Sequence, residues 1–319
     1  MNSNRLSPLR PGSYGACVPY NSPDTDGVAS ALALSELFSY LDVMPWRPSL
    51  SGILNPETRL ALKLSHSRNP RTKSAFDAHE IALVDTHSMQ QLPHDLRGDR
   101  VRLIVDHHRD GDLADFPNAD IRIERVGATA TLIYEMAKAT NYRFTQPTAV
   151  MLTAAIVSNT LDFAAPSTSS RDRLAFAELS SEYSLPPAFV SSLLGSRSAL
   201  LDGELEVVLQ RDVKVAQSQL GLVAIAQIEA PDAGSLASRD GFVDAVDRLR
   251  RTRQVDHVVV NLVDVSAGSS ILVASSDDVR LLLSEGLDIE FHDSVARPER
   301  VLLRKTDLIP ALTGATWRM

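Results

Sequence analysis

The stretch VRLIVDHH, from Val101 to His108, decides the class of fold. It contains a short run of branched apolar residues, too short for a helix, and this predicts a strand buried on both faces of a parallel sheet. The run ends in Asp106, His107 and His108. Ligands collect at the carboxyl ends of parallel strands, so these three residues are candidates for a functional site.

The same pattern recurs in both directions along the chain. IALVD (Ile81–Asp85) is a second apolar run that ends in an acid, and Ala16–Val18 predicts a third strand. The loop NSPDTDG then leads to a predicted helix over Val28–Leu41. Farther on, a predicted helix over Gly127–Ala139 leads to another apolar run at Met151–Thr160. Apolar strands that alternate with helices predict an α/β domain built on a parallel sheet.

The second half of the chain predicts a separate, smaller α/β domain. Gly and Ser become frequent around Ser192–Glu204, where the apolar periodicity weakens. We therefore place the domains at 1–195 and 204–319, with a linker at 196–203. The predicted elements of the second domain are strands at Leu222–Ile228, His257–Val265 and Ile271–Ser275, a helix at Phe242–Arg253, and a short closing strand within Arg300–Gly314 that carries two bases.

Composition narrows the classes of partner. The chain has 319 residues, with 32 Lys and Arg against 40 Asp and Glu, for a formal net charge of -8. Nucleic-acid and anionic-membrane binding need clustered positive charge, and the arginines at the end of the predicted helix Phe242–Arg253 are more typical of a solvated helix end. The single cysteine, Cys17, excludes an internal disulfide, and neither an apolar signal segment nor a membrane-length apolar run is present. We expect a cytoplasmic protein without nucleic-acid or membrane partners.

Oxygen and nitrogen donors lie at three predicted strand ends. Asp24 and Asp26 occupy a Pro-led turn before the first helix, Asp85 ends one strand, and His107 and His108 end another. Clustered carboxylates repel one another unless a cation lies between them, and mixed carboxylate and imidazole ligands suit Mn, Fe, Co or Zn. Each residue also has a simpler interpretation, as a helix N-cap, a turn carboxylate or a solvated loop.

In their order and spacing, the motifs resemble those of the DHH phosphoesterase superfamily, and more specifically its family II inorganic pyrophosphatases. The similar segments are PDTD (Pro23–Asp26), LVD (Leu83–Asp85), VDHH (Val105–His108), VGATATLIYE (Val126–Glu135), AAIVSNTLDFAAPST (Ala154–Thr168), DVK (Asp212–Lys214) and LRKTDLIPAL (Leu303–Leu312). The resemblance implies an N-terminal parallel-sheet DHH domain, a smaller C-terminal DHHA2-like α/β domain, and an active site in the cleft between them.

The resemblance also implies a role for each candidate residue. The implied metal ligands are Asp24, Asp26, Asp85 as a bridge between two ions, and His107, with Asn159 as a further candidate. The implied catalytic residues are the same three aspartates with His107 and His108, and the implied substrate-binding residues are His108, Lys214, Arg304 and Lys305. The implied cofactor is one or two ions of Mn²⁺, or of Mg²⁺ or Co²⁺. The implied partners are a small phosphorylated substrate and a second copy of the chain in a homodimer.

Four positions depart from the family pattern. They are Tyr20 in place of a ligand histidine, Asn159 in place of a ligand aspartate, and Ala164 and Thr306 in place of lysines. A neutral amide oxygen is a weaker ligand than a carboxylate, so the number of bound ions stays open. Asp162 and His87 lie close in sequence to the altered motifs and are candidate replacement ligands, with a turn carboxylate and a surface imidazole as their ordinary alternatives.

We therefore expect a metal-dependent hydrolase of phosphoanhydride bonds that acts on pyrophosphate or a related diphosphate through an activated water. One alternative keeps the fold but changes the substrate to polyphosphate or to a nucleotide or other organic diphosphate. Another is a catalytically silent relative that binds phosphate or a nucleotide, which the changes at Tyr20 and Asn159 would suit.

Overall fold

A computed structural model of the chain describes residues 12–42, 44–67, 74–94, 96–108 and 111–314. It divides into two compact units. The N-terminal unit consists of Met1–Thr160 and Thr168–Leu193, and the C-terminal unit consists of Leu161–Ser167 and Leu194–Met319. The predicted limits at 195 and 204 stay a prediction, and within the predicted linker Ser196–Leu201 forms a 3₁₀-helix. No helix in the described ranges is both long and apolar enough to cross a bilayer.

The N-terminal unit is built on a five-stranded sheet in which every pair of neighbouring strands is parallel. Its strands are β1 (Gly15–Val18), β2 (Trp46–Pro48), β3 (Glu80–Val84), β4 (Val101–Asp106) and β5 (Asp120–Ile123), in the order β2-β1-β3-β4-β5. The predicted parallel α/β domain is confirmed. Because β1, β3 and β4 are neighbours, the loops that follow these strands lie at one edge of the sheet.

Helices cover this sheet. They are α1 (Thr25–Leu41), α2 (Pro56–Leu64), α3 (Thr129–Ala139), α4 (Gln146–Thr160) and α5 (Ser170–Glu182), and α6 (Phe189–Gly195) follows them. The apolar run Met151–Thr160 belongs to α4, which contacts α1, α2, α3 and α5 and is buried on almost every side. A helix surrounded in this way needs no polar face, which explains why its sequence shows no amphipathic pattern.

The C-terminal unit has a mixed six-stranded sheet. Its strands are β6 (Val213–Ser218), β7 (Gly221–Ala230), β8 (His257–Asp264), β9 (Ser269–Ala274), β10 (Phe291–His292) and β11 (Val295–Ala296), in the order β10-β11-β9-β8-β7-β6. Only β7 and β8 are paired in parallel among these strands of the described chain. Its helices are α7 (Leu205–Gln210), α8 (Phe242–Arg253), α9 (Asp277–Leu287) and α10 (Ile309–Thr313). Alternate residues of β7 enter two separate apolar clusters, so the sheet carries a core on each face.

The predicted closing strand is wrong. Arg304–Leu308 forms a π-helical turn that continues into α10. The Asp307 carboxylate accepts a hydrogen bond from the backbone N–H of Leu303 at 2.8 Å, which closes the start of the turn. Pro310 occupies the first turn of α10, where its missing N–H costs no hydrogen bond.

Candidate metal centre

Asp85, His107 and His108 meet where β3 and β4 end. Asp85 follows β3 in a left-handed backbone conformation, with φ of 60°, which an aspartate tolerates better than most residues. Its backbone N–H donates to Val105 O at 2.9 Å, which fixes the turn against β4. One ligand atom from each of Asp85, His107 and His108 lies within 4.8 Å of the others. Three residues that the sequence singles out are therefore brought into one small volume.

The ring of His107 is oriented by the backbone. Its Nδ1 lies 3.0 Å from the carbonyl oxygen of Val126, which can only accept, so Nδ1 carries the proton and Nε2 carries the lone pair. That Nε2 lies 3.5 Å from Asp85 Oδ1 and 4.0 Å from Asp26 Oδ2. A lone pair that faces two carboxylates is the arrangement expected of a metal-binding imidazole.

Asp106 orients the ring of His108 and is not itself one of the candidate metal ligands. Its Oδ1 accepts hydrogen bonds from the backbone N–H groups of His107 and His108, at 2.7 and 3.0 Å, and from His108 Nδ1 at 2.9 Å. Its Oδ2 lies 2.6 Å from His87 Nδ1. Burial alone would raise the pKa of Asp106, but the hydrogen bonds from His108 and His87 outweigh burial and hold this pKa well below its usual range. His87, a candidate replacement ligand, uses Nδ1 in this pair.

Asp26 is buried and fully hydrogen-bonded. Oδ1 accepts from the backbone N–H of Ala130 at 2.9 Å and from Ser30 Oγ at 3.2 Å. Oδ2 accepts from the backbone N–H of Thr129 at 2.7 Å and from Asn159 Nδ2 at 2.8 Å. The two backbone donors are free N–H groups at the start of α3. Burial and then the neighbouring Asp24 raise the pKa of Asp26 to about 7, although the backbone hydrogen bonds oppose this shift.

Asp85 is equally buried but much less satisfied. Its Oδ1 accepts from Thr129 Oγ1 at 3.0 Å, and its Oδ2 has no hydrogen-bond partner in the described part of the chain. Burial, followed by the charges of Asp26 and Asp24, raises the pKa of Asp85 well above its usual range. A buried carboxylate whose Oδ2 has no partner among the described residues, and whose Oδ1 lies 3.5 Å from the lone pair of His107 Nε2, fits a divalent transition-metal ion such as Mn²⁺, because the ion would supply the missing positive charge.

Asp24 is the N-cap of α1. Its Oδ1 accepts from the backbone N–H groups of Asp26 and Gly27, at 2.9 and 3.1 Å, so the simpler interpretation of this residue is correct as far as Oδ1 is concerned. The backbone N–H of Asp24 in turn donates to Tyr20 Oη at 3.0 Å. Burial, then the charges of Asp24 and Asp85, raise the pKa of Tyr20, so a neutral phenol stands here.

Sequence reasoning missed two residues that support this centre. Thr129 bridges the two buried carboxylates, since its N–H binds Asp26 and its hydroxyl binds Asp85. Glu57 accepts from the hydroxyl of Thr25 at 3.1 Å and from that of Ser158, and so joins the start of α1 to α4. The sequence motif contains Thr129, but the contacts of this residue are with Asp26, 103 positions away, and with Asp85, 44 positions away.

The sequence of this chain matches two known domain families. Residues 16–157 match the N-terminal domain of the DHH family, and residues 191–315 match the DHHA2 domain. The chain therefore contains a DHH domain followed by a DHHA2 domain. The family resemblance that the motifs indicated is therefore confirmed, and the metal centre just described lies in residues of the DHH domain and the helix end that follows it.

Named relatives align with nearly the whole chain. A protein of Bacillus licheniformis named probable manganese-dependent inorganic pyrophosphatase is 29% identical, over 93% of this chain and 96% of its own. The manganese-dependent inorganic pyrophosphatase of Bacillus subtilis is 26% identical with the same coverage. A crystal structure from Methanococcus jannaschii, described as "putative family II inorganic pyrophosphatase", matches with a TM-score of 0.72 at 24% identity, over 93% of this chain and 98% of that one. This structural match supports the fold.

In the DHHA2 domain, Arg304 is engaged within the domain. It is 5% exposed, and its Nη2 binds both carboxylate oxygens of Asp212, at 2.8 and 3.0 Å. Its Nη1 donates to the backbone carbonyls of Asp212 and Ile225, at 3.1 and 3.3 Å. Only Nε lacks a partner in the described ranges. Both terminal nitrogens of this predicted phosphate ligand are therefore already occupied.

The two lysines of the DHHA2 domain lie nearer the surface. Lys214 is exposed on β6, two residues after Asp212, and Lys305 is half-buried in the π-helical turn after Arg304. Thr306, at one of the positions where the family has a lysine, is exposed and donates to Asp307 Oδ2 at 2.6 Å. The structure thus places the predicted bases at the start of β6 and in one turn, which are joined through the Arg304–Asp212 pair.

The remaining candidates lie in the turn 161–167. Asp162 and Ala164 are exposed, and this turn groups with the C-terminal unit. Asp162 adopts a left-handed conformation with φ of 52°. Asp162 is therefore an exposed turn residue, and its role as a replacement ligand stays a prediction.

Proposed function

We propose that this chain is a manganese-dependent hydrolase of phosphoanhydride bonds, acting on inorganic pyrophosphate or a related diphosphate. The DHH and DHHA2 domains and the names of the relatives support this proposal. The observation that carries it is the buried Asp85 Oδ2, which lacks a hydrogen-bond partner among the described residues, in a carboxylate that also lies beside the Nε2 lone pair of His107. A carboxylate arranged in this way is suited to holding a cation.

The proposed metal ligands are Asp85 and His107. The family resemblance implies two more carboxylates, those of Asp24, the N-cap of α1, and of Asp26 in the first turn of α1. When bound, a divalent ion lowers the pKa of a water molecule and offsets the negative charge of phosphate oxygens. The chain itself supplies the orientation. Val126 O fixes the His107 ring, and the left-handed turn at Asp85 aims its carboxylate toward that ring.

His108 is the proposed contact to a phosphate oxygen. Its Nδ1 lies 2.9 Å from Asp106 Oδ1, and this contact orients the ring. Lys214 and Lys305 are proposed to bind further phosphate oxygens as point charges. For Arg304 we propose a supporting role, because its contacts with Asp212 and the β7 backbone hold the start of β6 and the turn that carries Lys305.

Phosphate release from pyrophosphate, tripolyphosphate and a panel of nucleotides, each with Mn²⁺, Co²⁺ or Mg²⁺, tests this function. We expect release from pyrophosphate or another diphosphate, greatest with Mn²⁺ and abolished by a chelator. The variant His107→Gln should lose at least about 100-fold in rate, since loss of an outer-shell partner alone costs about 10- to 100-fold. Its control is His257→Gln, a half-buried histidine of the DHHA2 domain. Silence across the whole panel would contradict hydrolysis and favour a phosphate-binding relative.

A larger or less charged diphosphate is a second candidate substrate. Ala164 and Thr306 provide no positive charge at two positions where the family has lysines, and both are exposed. Fewer cations favour a substrate with less charge to neutralise. The variants Ala164→Lys and Thr306→Lys should then raise kcat/KM for pyrophosphate relative to organic diphosphates. An unchanged ratio would remove this candidate.

We also propose that the protein works in the cytoplasm as a homodimer. The single cysteine, Cys17, is buried and free, so the fold does not require an oxidising compartment. The homodimer rests on the family resemblance alone. Light scattering of the purified protein would report its mass, and a monomer at micromolar concentration would contradict pairing.

A further inference from the structure

The two buried carboxylates of the metal centre differ in how many hydrogen bonds they accept. A carboxylate has about four lone-pair positions. Asp26 uses four of them, on two backbone N–H groups, one hydroxyl and one side-chain amide. A cation bound directly by Asp26 would have to displace at least one of these donors. Asp85 accepts one hydrogen bond, from Thr129, and its Oδ2 is open in the described part of the chain.

Asn159 is the donor that separates the two sites. It lies in the last turn of α4 and presents Nδ2 to Asp26 Oδ2 at 2.8 Å. The opposite orientation of the amide would set two acceptor oxygens against each other, so the carboxylate itself selects the donor side. In this position Asn159 satisfies Asp26 as a cation would, but it contributes no negative charge that could hold one.

The packing around Asn159 keeps this contact in place. The helix α4 is buried and packs against α1, whose first turn contains Asp26. The neighbouring Ser158 hydroxyl donates to the buried carboxylate of Glu57, which anchors the same turn of α4. The end of α4 is thus held at Glu57 and against α1, and this packing positions the half-buried Asn159 amide at Asp26.

We infer that Asn159 replaces a second cation beside Asp26, so that the centre holds one divalent ion, at Asp85 and His107. This inference rests on the proposed function for the identity of the ion. Asp26 then serves as a positioning residue that joins the start of α1 to the start of α3. A second ion would meet, next to Asp26, an amide that donates a hydrogen bond in place of an anionic ligand.

The number of ions is measured on the full-length protein, without reference to turnover. The protein is equilibrated with excess Mn²⁺ and desalted, and bound manganese per chain is determined by mass spectrometry, with calorimetry to confirm the stoichiometry. We expect one ion per chain in the native protein. Asn159→Asp should bind two, a twofold increase, because an added carboxylate replaces the amide donor. Paramagnetic resonance adds a second readout, since two adjacent Mn²⁺ ions couple and broaden the six-line signal.

Two further variants test the specificity of this result. Asn141→Asp makes the same chemical change at an exposed position after α3 and should leave one ion per chain. Asn159→Ala removes the amide without adding charge and should also bind no more than one ion. Circular dichroism checks that each variant is folded, and if Asn159→Asp does not fold, the native stoichiometry and Asn159→Ala still decide the matter.

Each outcome separates the inference from the proposed function. Two ions per native chain, or one ion in folded Asn159→Asp, would overturn the inference while leaving hydrolysis untouched. One ion in the native protein together with no phosphate release would support the inference and contradict hydrolysis. A native protein that binds no Mn²⁺ at all would overturn both.

Discussion

Buried charge is handled in opposite ways in the two units. In the N-terminal unit, Asp85 is a buried carboxylate with an oxygen that has no hydrogen-bond partner in the described chain. In the C-terminal unit, Arg304 is a buried guanidinium, but the carboxylate of Asp212 neutralises it and two backbone carbonyls take further hydrogen bonds. One Asp85 oxygen is thus left without a protein partner among the described residues, whereas the Arg304 guanidinium is paired with a carboxylate.

This difference distinguishes a residue that binds a ligand from a residue that supports the fold. An uncompensated buried charge costs free energy that folding alone does not recover, so its presence indicates a ligand that supplies the opposite charge. A buried charge that is already paired needs no ligand, and removing it should affect the fold more than binding. Substitutions at Asp85 and Arg304 should therefore have opposite effects on metal-free stability.

The largest effect is expected at Asp85. Asp85→Asn keeps the side-chain shape and tolerates the left-handed backbone, but removes the charge. We expect Mn²⁺ affinity to fall by at least about 100-fold, beyond the 10- to 100-fold range typical of outer-shell partners. The metal-free protein should become more stable by about 1 kcal/mol, because a buried uncompensated charge is gone. Calorimetric titration and urea unfolding in chelator measure the two quantities.

Added Mn²⁺ provides the matched comparison for this variant. At about 100 times the native dissociation constant, binding should stabilise the native protein by about 2.7 kcal/mol, whereas Asp85→Asn should gain no more than about 0.4 kcal/mol at the same Mn²⁺ concentration. A variant that is less stable than the native protein in chelator would show that Asp85 is compensated in the fold, and the contrast between the two units would disappear.

The second effect is a loss of stability at Arg304. Arg304→Met keeps most of the volume but removes the bidentate pair and two hydrogen bonds. We expect the free energy of unfolding to fall by about 2 kcal/mol, less than the 3–5 kcal/mol of a fully buried pair, because the Asp212 side chain is 52% exposed. Urea unfolding measures the loss, and Mn²⁺ affinity should not change.

Arg251→Met is the control for that loss. Arg251 pairs with Asp247 on the surface of α8, and such exposed pairs contribute less than about 1 kcal/mol. Equal losses of unfolding free energy at Arg304 and Arg251 would mean that the Arg304–Asp212 pair contributes no more to stability than an exposed pair. A large fall in Mn²⁺ affinity for Arg304→Met would instead contradict the distinction between residues that support the fold and residues that bind the ion.

Most of the strands could be predicted from the local sequence, and the reason is physical. β3 and β4 are short, branched and buried on both faces, so their sequence alone distinguishes them. The closing segment failed because its structure depends on Asp307, which binds the backbone of Leu303, and on the distant carboxylate of Asp212, which binds Arg304. Neither contact leaves a periodic pattern in the sequence.

The candidate site, like the fold, could be predicted in part from the sequence. Asp85, His107 and His108 stood at strand ends, and the structure brings them within reach of one another. Their hydrogen-bond state was not predictable, since the difference between Asp26 and Asp85 depends on which donors α3 presents across long separations in the chain. Motifs indicate the residue types of a centre, whereas tertiary contacts decide which of them remain available to a ligand.

The smallest effect is expected at Asp106, a carboxylate of the N-terminal unit whose charge, like that of Arg304, is already met by protein groups. It accepts from two backbone N–H groups and from the rings of His108 and His87. Asp106→Asn retains one acceptor oxygen for the backbone but weakens the hold on the rings. Because Asp106 orients ligands and does not itself bind the ion, Mn²⁺ affinity should fall by only about 10-fold. Titration with Mn²⁺ should show this modest loss, with Asp99→Asn, an exposed surface pair, unchanged. If Asp106→Asn were as damaging as Asp85→Asn, Asp106 would have to be a direct ligand, and engagement by protein donors would no longer distinguish supporting carboxylates from metal-binding ones.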